Sequence, residues 1–167
     1  MKNKEFLPPI RIILLIAVTV LLGVFQNVFL AELKYPVLPL IPLTVSIAVR
    51  EKELTSLLFG ALAGAILDLV SSVHDGVFAL TFAVMAGLIS LLARYKVRDT
   101  LMSAVLMTLF FSTIVCGVFL VFNYFRVGGT PESTLRVVFP VMLIATVLTP
   151  VFYYPIRFVE SKLRASE

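Results

Sequence analysis

Few residues of this chain have side chains that can do chemistry. The most conspicuous is Asp68, set between two leucines in "GALAGAILDLVSS", residues 60–72. A carboxylate in such a setting can accept hydrogen bonds, hold a cation or pass a proton. Asp75 and His74 follow within one turn of chain, Gln26 and Asn27 form an amide pair, and Cys116 is a lone thiol in an apolar run. One cysteine and one histidine supply neither a disulfide framework nor a zinc site. No Ser/His/Asp arrangement, paired carboxylates or phosphate-cradling glycine loop is present. Catalysis needs a nucleophile, a base and a stabilising group that converge. The expectation is a non-enzymatic protein without a metal or cofactor. A proton relay through Asp68 would need a second acid at mid-membrane, and none appears.

The surroundings of these residues are membrane-like. Of 167 residues, 60% are hydrophobic and 14% charged, with a mean hydropathy of +1.05. Soluble domains carry nearer a quarter charged residues. The excess falls in blocks at 12–31, 37–49, 54–70, 76–93, 100–122 and 135–154. These predict a single all-α transmembrane domain, residues 1–167, with six spans of which most approach the roughly 20 residues a crossing requires. The first block is a retained span, because no small-residue cleavage site ends it. The second is short and carries Pro36, Pro39 and Pro42, which predict unwinding at its start.

Charge sets the orientation. In the six-span arrangement, eleven of the 14 lysines and arginines fall on the side of both termini. Only Lys34, Arg126 and Arg136 fall on the other. This bias places the termini in the cytoplasm of a multi-pass plasma-membrane protein. Tyr35 and Tyr124 then mark the outer boundary, and Tyr95, Tyr153 and Tyr154 the inner one. The longest loop, 123–134, is external. Arg94, Lys96 and Arg98 form a cytoplasmic basic loop attracted to anionic lipid, and no clustered basic face suggests nucleic acid.

On a helix, Gly60, Gly64 and Asp68 share about 80° of arc, while Leu58, Leu62, Ile66 and Leu69 fall opposite. The first set predicts a smooth face for close helix packing, within the chain or against a partner such as a second copy. The second set faces lipid. Asp68 should pin the third-to-fourth connection by accepting hydrogen bonds from "SSVHDG". Asp75 reads as the N-cap of the fourth span ahead of Gly76, and His74 as a solvated turn residue. Gln26 and Asn27 read as interhelical hydrogen-bonding groups, and Cys116, Met102, Met107 and Met142 as apolar filling.

The proline-marked "YPVLPLIPLTVSIAVRE" followed by "GALAGAILDLVSSVHDGVFAL" resembles MreD, the rod-shape-determining membrane protein family of bacteria. The matching positions are Pro39, Ala48, Gly60, Gly64, Asp68, Gly76, Ala79 and Leu80, with Gln26 in the first span. The "REKE" after Ala48 departs from the family pattern. The resemblance implies a non-enzymatic scaffold of the elongasome, supporting lateral peptidoglycan synthesis and cell shape. It implies MreC as the direct partner, with MreB, RodA and a class B penicillin-binding protein in the complex. It also implies a fold similar to the substrate-binding component of energy-coupling-factor vitamin transporters. Such a transporter subunit is the alternative, but it would carry an Ala-x-x-x-Ala face that the first span, with Ala17 and Ala31, lacks.

Overall fold

A computed structural model describes residues 9–26, 28, 38–69, 76–95, 100–127 and 131–165. Six helices follow in order: α1 (Pro9–Phe25), α2 (Leu40–Ala48), α3 (Glu53–Asp68), α4 (Val77–Tyr95), α5 (Leu101–Val127) and α6 (Pro131–Ala165). Among the described residues there is no strand. Three helices are long and apolar enough to cross a membrane, over Val77–Arg94, Leu101–Val121 and Val138–Phe158. The chain is therefore all-helical and compatible with a membrane protein.

The second apolar block, 37–49, yields only a nine-residue helix. At 1.5 Å per residue α2 is about 14 Å long, less than half of a hydrocarbon core of about 30 Å. All nine of its residues are buried. It is the centre of the bundle, touched by each of the other five helices. Such a short helix is tolerable at membrane depth because protein, not lipid, surrounds it. The described start of that segment, Leu38 and Pro39, is non-helical as expected, and the helix runs from Leu40 onward, with Pro39 at its cap and Pro42 in its first turn. There a missing N–H costs nothing. Thr44 and Ser46 donate to the carbonyls of Leu40 and Pro42, each at 2.7 Å, which satisfies their hydroxyls inside the core.

The most extensive contact joins α3 to α4. Each glycine of the small-residue face meets α4 backbone. A Cβ on Gly60 would fall on the carbonyl oxygen of Phe82 and within 2.8 Å of Ala86 Cβ. One on Gly64 would fall on the carbonyl oxygen of Phe78 and 2.5 Å from Ala79 Cα. Residues 60 and 64 thus oppose 82–86 and 78–79, so the helices run antiparallel at backbone contact. On the opposite side Leu58 and Leu69 are exposed. Leu62 and Ile66 are half-covered, and Ile66 lies where a Cβ on Gly23 of α1 would meet it at 2.6 Å. The predicted lipid face is therefore partly an α1 seat.

That seat is narrow. Leu15, Thr19 and Gly23 of α1, with Gln26 just after it, are buried, and the exposed residues described from Ile12 to Phe25 are apolar. Phe82 of α4 packs edge-on against Phe111 of α5, with ring centroids 4.8 Å apart. Cys116 of α5 approaches the Val138 carbonyl of α6, and Thr113 donates to the sulfur of Met142. Met102 is exposed rather than filling.

Three expectations are corrected. Residues 123–127 and 131–134, expected in a loop, are helical, because α5 runs on to Val127 and α6 starts at Pro131, a favoured residue for the first helical position. The last helix continues past 154 to Ala165 through Pro140, Pro150 and Pro155. The apolar run measured its membrane-like portion, while its charged end is rich in good helix formers. Tyr153 is not an interfacial anchor: it is fully buried, with Arg50 stacked over its ring at 4.7 Å. Tyr154 and Tyr124 are exposed, whereas Tyr35 lies outside the described residues.

Glycine packing gives a contrast that can be measured. Gly64→Ala must push backbone away from backbone, and we expect it to destabilise the protein by at least about 1–3 kcal/mol in detergent. Gly117→Ala, on exposed α5 surface with nothing near the new methyl, should be neutral or stabilise by up to about 1 kcal/mol through helix propensity. Thermal unfolding of the two variants beside wild type decides the matter. Equal effects would rule out backbone contact at Gly64.

Candidate functional site: imported caps at two helix N-termini

Asp68 is the last residue of α3 and is 7% exposed. Its Oδ1 accepts from the backbone N–H of Phe78 at 3.1 Å, and its Oδ2 from that of Ala79 at 2.8 Å. Both donors belong to the first turn of α4, whose N–H groups have no partner within the helix. The position before α4 is Gly76, which has no side chain to offer and adopts a left-handed φ of +71°. Its carbonyl accepts the first intrahelical bond, from Leu80. The capping carboxylate is therefore supplied by a neighbouring helix across the antiparallel contact.

This geometry revises the electrostatics expected of Asp68. At the C-terminal end of α3 the helix dipole disfavours an anion. The carboxylate nevertheless lies against the N-terminus of α4, where the dipole and two N–H donors favour it, and bonds to a charged acceptor are the stronger kind. The expected donors lay in "SSVHDG", residues 71–76, whereas those observed lie just beyond it. Asp75, expected as the N-cap, and His74 fall outside the described residues.

Gln26 plays the corresponding part for α2. It is 4% exposed, and its Oε1 accepts from Leu40 N–H in a long bond of 3.4 Å. The cap residue of α2 is Pro39, which makes no side-chain cap. The remaining groups of that turn are also accounted for. Ile41 N–H donates to Leu38 O, Pro42 has none, and Leu43 N–H donates to Pro39 O. Asn27 lies outside the described residues.

Both ends of the α3–α4 pair are tied. At the end opposite Asp68, Ser90 Oγ donates to the Glu51 carbonyl at 2.6 Å, and Arg94 pairs with Glu53 at 2.6 Å. Sequence reasoning missed both ties. Glu53 to Arg94 spans 41 residues, and only an antiparallel register fixed by Gly60 and Gly64 would have aligned them. Pro39, Gly76 and Gln26 stand at helix starts or caps, and Gly60, Gly64 and Asp68 form one contact. These groups position helices. Among the described residues, no three His, Cys, Asp or Glu side chains lie together as metal ligands would.

Asp68→Ala leaves two N–H groups unpaired in a buried site, and we expect a loss of about 2–4 kcal/mol. Asp68→Asn keeps one acceptor but turns an amide donor toward the other N–H, so about half that loss is expected. Thermal unfolding measures the order of the two variants. Faster amide exchange at Phe78 and Ala79 in both would locate the effect, whereas unchanged exchange there would exclude the cap. Comparison with known proteins returned no match: no family model, curated protein or solved structure matches the chain.

Proposed function

We infer that this chain is a non-enzymatic, six-span scaffold of the bacterial plasma membrane with cytoplasmic termini. It is of the MreD kind: it binds an MreC-like protein and supports peptidoglycan synthesis along the cell side wall. MreB, RodA and a class B penicillin-binding protein complete the assembly in this reading. The observation that carries it is the clustering of the resemblance. Gly60, Gly64, Asp68 and Ala79, which carry much of the sequence likeness, meet in one α3–α4 contact, and Gly76 opens the second helix of that contact. A motif that builds one rigid helix pair suits a protein whose task is to present surfaces.

The wide apolar surface of α1, held by one narrow seam, supports the same reading, since it leaves room for lipid or partner helices.

The test is affinity capture of the tagged full chain from bacterial membranes in mild detergent. We expect an MreC-like protein to co-purify. Asp68→Ala should reduce its recovery in step with the folded fraction, while exposed Leu58→Ala should leave both unchanged. Recovery of a vitamin together with an ATPase module would instead identify a transporter subunit and overturn the scaffold.

A further inference from the structure

At the end of the bundle opposite Asp68, the turn between α2 and α3 meets the last turns of α4 around an open cleft of about 190 Å³. Its lining includes Arg50, Glu51, Lys52, Ser90, Ala93 and Arg94. The walls are fixed by the contacts already described: Ser90 to the Glu51 carbonyl, Arg94 to Glu53, and Arg50 over the buried ring of Tyr153. Arg50, Lys52 and Arg94, from two segments of the fold, thus line one hollow, Arg50 also lying over the Tyr153 ring and Arg94 pairing with Glu53. Glu51 and Glu53 offset part of that charge, and Glu53 is engaged by Arg94. The N-terminus of α3 adds positive potential, since its cap residue, Lys52, makes no side-chain cap.

Guanidinium forks, an ammonium and the positive end of a helix suit the oxygens of a phosphate. Depth identifies the source. The apolar stretch of α4 ends at Arg94, so where α4 crosses a bilayer the cleft falls at headgroup level.

We propose that this cleft binds the phosphate of an anionic membrane phospholipid. The site is independent of the scaffold reading, because its ligand is lipid and its residues are not those of the α3–α4 contact motif. The purified full chain in a neutral detergent is titrated with dioctanoyl phosphatidylglycerol, dioctanoyl phosphatidylcholine or inorganic phosphate at constant ionic strength, and the midpoint of thermal unfolding is read. Phosphatidylglycerol should raise the midpoint saturably, and the other two should not do so over the same range. Lys52→Gln, at an exposed position, should raise the half-saturating concentration about fivefold. Arg94→Gln should raise it at least as much. Arg136→Gln, an exposed cation on α6 that does not line the cleft, serves as the charge control and should leave it unchanged. Stabilisation by inorganic phosphate in the same range would overturn the lipid assignment. Equal response to the two lipids, or equal weakening by Lys52→Gln and Arg136→Gln, would overturn the site.

Discussion

Everything in this bundle depends on how closely α3 approaches α4. At Gly60 and Gly64 the two backbones touch where any side chain would intrude. In lipid, helices gain little from excluding water, and association relies on packing and interhelical hydrogen bonds. Backbone contact serves both, since it lengthens the packed interface and brings the end of one helix within reach of the start of the next. Asp68 can bond Phe78 and Ala79 only because Gly64, one turn earlier, already touches Phe78 and Ala79. The glycines and the acid act together, and separating the helices would also leave the carboxylate and the α4 N–H groups unpaired.

A second regularity follows from the same economy of polar groups. In an apolar medium the free N–H groups at a helix start cannot turn to water, and each left unpaired is costly. Both α2 and α4 start after a residue with no side-chain acceptor, Pro39 in one case and Gly76 in the other. Each takes its acceptor from elsewhere, Gln26 for α2 and Asp68 for α4. Gln26 lies one turn beyond Gly23, which packs on Ile66, itself two residues before Asp68. The two acceptors therefore stand toward the same end of the bundle. A cap supplied by another helix does more than a local one, because it also fixes the position of the donor helix.

The helical class and the apolar blocks were legible in the sequence because a period and a composition report them directly. The shared face of Gly60, Gly64 and Asp68 was legible for the same reason, from spacing of four on one helix. What the face meets was not, since spacing within a helix says nothing of its neighbour. That Asp68 would reach the first turn of α4 was not legible, because an acceptor ten or eleven residues earlier comes within reach only across an antiparallel contact. Tyr153 was misplaced at the interface because an aromatic near the end of an apolar run resembles an anchor. Arg50, which lies over its ring, comes from a distant part of the chain that the local sequence does not reveal. The ends of α5 and α6 were missed because hydropathy measures membrane contact, and a helix is free to outlast it.

The two ends of the α3–α4 pair differ in kind, and this decides which of them can yield. Asp68 is almost wholly removed from solvent, so its bonds to α4 are neither screened by salt nor exchanged readily for water. The ion pair of Glu53 with Arg94 has side chains 34% and 55% exposed, and a pair so placed adds little stability and is screened further by salt. The glycine contact and the buried cap therefore carry the cohesion of the pair. The charged end is held more loosely, by one hydroxyl bond and a solvated ion pair. Any influence of ionic strength or of a charged ligand on this helix pair must act there, at the turn between α2 and α3, while the Asp68 end keeps its register.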